Sequence, residues 1–367
     1  MSYKIGDLPL TTLLPALSRA EDQLARLDEI VRRSTIGEGY AKRAHFSEAA
    51  ASMWVAGELV HIEDLVLHDA NMDVRTPTHE ITIAHSILRS RRSITEQGSV
   101  WAITKAGMEH LAGRRSSTMR RTGAGENDQS HTLSSSPADI EDGFATEMAE
   151  IDAVLTRSTR TLLRIDEEAK SDPVVVGELF IRDPDWDEDD RLSKWSSSLR
   201  EVEALPATLA AAILWDAWEN LEPLQRQHWL GGQLVNSYLR SRGKVTSHLF
   251  CLNVGLKSIP REMRRSRNRT SRLVAGLAAM GIASEVGIKE VIRLGQAREQ
   301  LQRKLRNKRS SSSLPALVDL LIASPVVSSS MIVKSLKISH RGALDLVSEL
   351  GVRELTGRGS YRVWGIL

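Results

Sequence analysis

The residues best placed to do chemistry lie near the end of the chain. Ser339, His340 and Arg341 stand where a short apolar-periodic segment begins, so they would crown the N-terminus of a helix. A hydroxyl, an imidazole and a guanidinium at such an end can donate to phosphate oxygens and to base edges. Arg341 has the fork geometry that pairs bidentately with guanine. Lys334 and Lys337 precede the cluster, and Arg358 and Arg362 follow it, each suited to a backbone phosphate. The chemistry this set supports is non-covalent reading of double-stranded DNA. Taken one at a time, the same residues are equally consistent with solvated surface charge.

The flanking sequence supplies the elements that would hold them. Leu314, Leu317, Val318 and Leu321 repeat at helical spacing, with Pro315 near the helix start and Pro325 after its end. Ser328 is a good N-cap for a second short helix whose inner face is Met331, Ile332 and Leu336. Ser339 caps a third, with Ala343, Leu344, Val347 and Leu350 inward and Gly351 as its stop. Val352 to Thr356 and Tyr361 to Ile366 then read as two strands around Gly357-Arg358-Gly359-Ser360. Three short helices and a hairpin make a winged helix-turn-helix. Its second motif helix, starting at Ser339, would enter the major groove.

Other clusters carry a weaker chemical signal. His61, Glu63, Asp64, His68, Asp69 and Asp73 invite a metal or acid–base reading, but no ligand spacing of a known site stands out. A polar helix face is the simpler account. The acidic stretch Asp183 to Asp190 lacks the order and closing Glu of an EF-hand. A single cysteine, Cys251, excludes an internal disulfide and reads as a small core residue among apolar neighbours. No Walker loop, dinucleotide fingerprint, nucleophile elbow or H-E-x-x-H motif occurs. No cofactor and no metal are therefore expected.

Length and charge set the outer bounds. A chain of 367 residues can hold two or three domains with a real core. The net charge of +2 excludes a globally basic coat, so DNA affinity must come from local patches. Two exist. Arg264, Arg265, Arg267, Arg269 and Arg272 form one run; Arg303, Lys304, Arg306, Lys308 and Arg309 form another, which could grip flanking phosphates. No secretory leader is evident and no apolar run reads as membrane-spanning, so a cytoplasmic protein without a membrane partner is expected.

Residues 1–112 read as an N-terminal helical region, with Leu13, Leu17, Leu24, Leu27 and Val31 on one stripe. Ile36-Gly37-Glu38-Gly39 is expected to break the chain before a second helix from about Ser47, and Thr78 to cap a later one. Residues 113–137 are rich in Ser, Arg and Gly and read as a disordered linker. Residues 138–309 form a second helical domain, in which 260–280 and 283–306 read as separate helices and Val174 to Val176 as a short strand. Residues 310–367 are the winged helix-turn-helix. The fold class is mostly α.

Within the middle region, Pro184 to Gly243 resembles the core of Fic-domain proteins. That resemblance implies a Fic-like helical bundle, and in the family a nucleotide monophosphate is transferred to a hydroxyl. The family's motif has the form HPFxxGNGRxxR. Anchored on Pro223, the His position holds Glu222 and the Phe position Leu224. The glycine nest falls on Gln227, His228 and Trp229, and the two Arg positions on Leu230 and Gln233. General base, anion nest and phosphate clamp are all replaced, so the resemblance implies a catalytically degenerate body. The chain also resembles a bacterial family of unknown function that ends in a helix-turn-helix.

These readings converge on a DNA-binding protein acting as a transcriptional regulator. A homodimer is expected, because one winged helix makes few phosphate contacts. An unidentified protein or small-molecule effector acting on the helical body is a further expected partner. Two alternatives stay open: a nucleotidyl transferase rebuilt around Glu222, Arg226 and His228, and an adaptor whose winged helix docks a protein.

Overall fold

The computed structural model describes residues 6–72, 76–113, 186–305, 313–355 and 362–366. The expected linker, the helix after residue 138, the Val174 to Val176 strand, Arg306, Lys308, Arg309 and Arg358 lie outside them, as do the first three residues of the acidic stretch. The described residues are helical throughout, apart from a small sheet near the C-terminus.

The helices follow from where apolar stripes and caps fall. Helix α1 (Leu10–Arg33) buries the predicted stripe of Leu13, Leu17, Leu24, Leu27 and Val31. Helix α2 spans Gly37–Ala56, so it begins ten residues before Ser47. The glycines read as a breaker instead permit close approach. A Cβ on Gly37 would overlap the Val31 carbonyl, and one on Gly39 would meet Ile322 Cγ2 at 2.5 Å. Then come α3 (Ile62–Asp69), α4 (His79–Glu96), capped by Thr78 as expected, and α5 (Lys105–Leu111).

Past residue 186 the chain forms α6 (Glu188–Glu201), α7 (Ala207–Leu221), α8 (Leu230–Ser241), α9 (Leu252–Leu256) and α10 (Arg261–Arg264). Helix α11 runs unbroken over Arg269–Leu305, 37 residues, where two helices were expected. Gly281 lies inside it, buried against α1, where a Cβ would sit in ordinary contact with Ala20 at 3.9 Å. The unbroken helix contains a window long and apolar enough to cross a membrane, contrary to the expectation that no run approached this. Its Leu273, Leu277, Met280, Val291 and Leu294 are buried against the rest of the protein.

One core therefore joins α1 to α7, α8, α9 and α11, across the expected boundary near residue 113. At its centre lies a polar knot. Arg91 of α4 is fully buried and donates to Gln233 Oε1 at 2.8 Å and to the Leu249 and Phe250 carbonyls. Glu48 of α2, also fully buried, accepts from Asn236, Asn253 and Val254. The partners come from α8, from α9 and from the segment just before α9, so the knot fixes the mutual register of α2, α4, α8 and α9. Cys251 is buried beside it, its thiol pushed up to about 12 by burial.

Candidate nucleic-acid interface

The last described segments build a winged helix-turn-helix. Helix α12 (Leu314–Ala323) buries Leu314, Leu317, Val318 and Leu321. Strand β1 (Val327–Ser328) leads into α13 (Ser329–Leu336), and a turn at Lys337 leads into α14 (His340–Leu350). Strand β2 (Val363–Trp364) pairs antiparallel with β1, Val327 opposite Trp364, and Glu354 bridges to Trp364 from the other side. The two limbs of the expected hairpin thus meet, and β1 joins them as a further strand.

The caps sit where the side-chain chemistry requires. Ser328 accepts from the Met331 amide at 3.2 Å, and Ser339 from the Gly342 amide at 3.1 Å. Gly351 ends α14 in the left-handed conformation with φ +60°. Lys337 also has positive φ, 55°, at the tight turn between the motif helices. For a residue with a Cβ this costs on the order of 1 kcal/mol.

The sequence-predicted site residues are distributed as follows. Ser339, His340 and Arg341 are exposed together on the first turn of α14. Ser339 keeps its own O–H available as a donor, since it only accepts in the cap. Lys334 and Lys337 are exposed on and just after α13. Arg362 is exposed too, but it donates twice to Glu354, at 2.6 and 2.9 Å, so its charge is largely offset. Arg358 lies outside the described residues. Further along α14 the exposed residues turn acidic, with Asp345 and Glu349. Cationic side chains and the positive end of the helix dipole therefore coincide at the N-terminus, the end that would meet a polyanion.

The opposite end of α14 is fixed by the body. Lys304 of α11 donates to the Leu350 carbonyl at 2.7 Å, occupying an acceptor the helix leaves unpaired. This assigns Lys304 to the protein rather than to flanking phosphates; Arg303 lies 3.8 Å from Glu299. A larger clamp holds the whole domain. Arg43 of α2 is buried and donates to the carbonyls of Leu321, Ile322, Pro325 and Ile366 at 3.2–3.4 Å. Glu290 of α11 lies 3.3 Å from the same guanidinium, and Arg293 adds a 3.0 Å bond to Ile366. Burial lowers the Arg43 pKa to about 10, with Glu290 opposing the shift, so it stays charged at neutral pH. Arg298 reaches Asp319 at 3.1 Å. A second apolar cluster joins Phe46, Met53, Val66 and Ile87 to Val326 and Val363. The winged domain is thus mounted on α2, α3, α4 and α11, with its first recognition turn exposed.

Comparison with known proteins fits this geometry. Residues 314–367 match a model described as "HTH DNA binding domain", and residues 180–306 match "Protein of unknown function (DUF1612)". The chain is 40% identical over 388 aligned positions to "Uncharacterized protein y4cF" of Sinorhizobium fredii (strain NBRC 101917 / NGR234), covering 100% of both chains. The chain belongs to this DUF1612 family, a family of unknown function with a C-terminal helix-turn-helix. The DUF1612 chain is also similar to a solved Fic family protein from Desulfovibrio desulfuricans G20, at 11% identity and a TM-score of 0.48, over 99% of this chain and 98% of that one.

Elsewhere in the body, the segment from Glu222 to Gln233 is held by local contacts. Glu222 ends α7 in the left-handed conformation. His228 bonds Glu219 at 2.8 Å. Burial pulls its pKa down, but that bond and the charges of Glu219 and Glu222 outweigh it, and the net shift is upward. Gly231 lies against the Trp218 ring, where any Cβ would overlap it, and a Cβ on Gly232 would come within 2.7 Å of Asn253 Nδ2. The paired glycines serve helix packing. The acidic patch is likewise divided: Asp69 takes a bidentate bond from Arg92 at 2.6 and 2.8 Å and lies 3.3 Å from His85. Among the described residues no three metal-capable side chains converge. Sequence reading missed Arg43 and Arg91, because nothing local distinguishes a buried arginine whose acceptors lie hundreds of positions away.

Proposed function

We propose that this DUF1612 protein recognises specific duplex DNA sequences as a transcriptional regulator, through entry of the first turn of α14 into the major groove. The observation that carries the reading is the exposure of Ser339, His340 and Arg341 at the N-terminus of a helix anchored by the body at its other end. Arg341 reads a base, guanine by its fork geometry; Ser339 and His340 contact phosphate or base. Lys334 and Lys337 hold phosphates on the turn side, and Arg358 does so from the wing. Arg362 contributes less, because Glu354 already holds it.

The helical body acts as mount and sensor rather than as catalyst. The residues standing at the Fic motif positions supply neither a general base with an anion nest nor a phosphate clamp. One winged helix makes few contacts, so the regulator acts as a homodimer on two half-sites about 34–36 Å apart. A small-molecule or protein effector would act on the body and reach α14 through the Arg43 clamp.

Selection of bound sequences from a random duplex pool, with the full-length chain at stated salt, tests this. The expected result is an enriched motif with two related half-sites one helical turn apart. If no sequence is enriched at any salt that permits binding, the regulator reading is wrong.

A further inference from the structure

A second basic feature lies on the body, away from the winged domain's own residues. Helix α2 ends at Ala56, and Gly57 turns the chain in the left-handed conformation with φ +100°. This end faces the segment that carries α10. Between them is a cavity of about 420 Å³, lined by Trp54, Lys257, Arg261, Arg264 and Arg265 together with short apolar residues. That volume lies within the range of small-ligand sites, roughly 300–1,000 Å³.

No carboxylate lines this cavity, although the charge of Glu219 reaches Arg264. Lys257, Arg261 and Arg265 are exposed, and among the described residues none of them makes an ion pair with a carboxylate. Arg261 and Arg265 are four positions apart, and Arg264 lies between them, so like charges crowd one turn. Such pairs destabilise a helix rather than support it. Glu262 is the acid on the same turn, and Glu219 is engaged with His228. Arg264 is held in place by an Nε bond to the Ile259 carbonyl at 3.1 Å, which leaves its terminal nitrogens directed elsewhere.

The same cavity presents an aromatic face. Trp54 is 39% exposed, although most of the protein's large side chains are buried. Lys257 Nζ lies 5.7 Å and the Arg264 guanidinium 5.9 Å from its ring centroid. An open indole flanked by cations is the arrangement that stacks a base while its phosphates are neutralised nearby. A duplex, whose bases are already stacked, would use the cations but leave the indole idle. The pairing of both features favours an unpaired base.

We propose that this cavity is a binding site for a nucleoside di- or triphosphate, the base stacked on Trp54 and the phosphates held by Arg261, Arg264 and Arg265. It would give the helical body a ligand of its own, independent of duplex binding by α14.

Calorimetric titration of the full-length protein with ATP, GTP, pyrophosphate and adenosine tests the proposal. The expected result is saturable binding of at least one nucleotide, with pyrophosphate and adenosine each weaker. Trp54→Ala should weaken the nucleotide about tenfold, and the double variant Arg261→Glu, Arg265→Glu should abolish binding. These side chains are exposed, and an unchanged melting temperature would show the variants folded. Arg341→Ala should leave nucleotide affinity unaltered, which separates this site from the DNA reading. Absence of saturable nucleotide binding overturns the proposal. So does equal affinity for pyrophosphate and ATP, or nucleotide binding indifferent to Trp54→Ala. Loss of duplex binding in the double variant, without any nucleotide binding, would assign the patch to the DNA backbone instead.

Discussion

The Arg43 guanidinium donates to the Ile366 carbonyl at 3.3 Å across 323 positions of sequence. Through this and its bonds to Leu321, Ile322 and Pro325, one side chain of α2 ties together both ends of the winged domain. Truncating it would leave the Leu321, Ile322 and Pro325 carbonyls short of a donor, while Ile366 and Glu290 would keep only Arg293. Arg43→Ala should therefore lower stability by about 2–4 kcal/mol in denaturant unfolding. Amide exchange over residues 314–366 should speed up more than in the rest of the protein. DNA affinity should fall although Arg43 touches no DNA. Uniform acceleration of exchange throughout would show that the clamp is not local.

Arg341→Ala should weaken specific duplex binding by roughly 1–3 kcal/mol and relax preference at one base position. Arg362→Ala should leave the salt dependence nearly unchanged, because Glu354 already neutralises it. Gel-shift titrations across a salt series check both. Wild-type affinity in the Arg341 variant would remove that residue from the interface.

Lys337 combines a strained backbone with a charge assigned to phosphate. Lys337→Gly relieves the left-handed strain, so it should raise stability by up to about 1 kcal/mol. It should also reduce the slope of log affinity against log salt by about one. Opposite signs in stability and affinity are the signature. A fall in both would mean the lysine supports the fold.

Asp69 gives a pH test. Burial pushes its carboxyl up, but the bonds from His85 and Arg92 prevail and set its pKa at about 2. The folded pKa lies below the ordinary value of about 3.9, so its contribution is complete above that pH. It is lost as pH falls through about 2. Asp69→Asn should cost about 2 kcal/mol at pH 7, and the difference from wild type should vanish in strong acid. A difference constant from pH 7 to pH 2 would point to lost packing instead of lost charge.

Local sequence was sufficient for the winged domain's parts. Ser328, Ser339 and Gly351 stand at their caps, and the 3.6-residue stripes of α12 and α14 are buried as their spacing demands. Capping and amphipathic periodicity are short-range effects, complete within a few residues, so the chain states them openly. The same periodicity gave a mostly helical body. What it could not give is which segments meet. Gly37 and Gly39 look like breakers in isolation; they lie inside a helix where another helix passes too close for a side chain. Arg43, Arg91 and Glu48 are charged residues that are buried because their partners arrive from distant elements. Tertiary packing leaves Trp54 open beside a basic turn some two hundred residues later. Backbone carbonyls carry no residue identity, and close approach depends on both surfaces at once. Only the folded arrangement could decide those contacts.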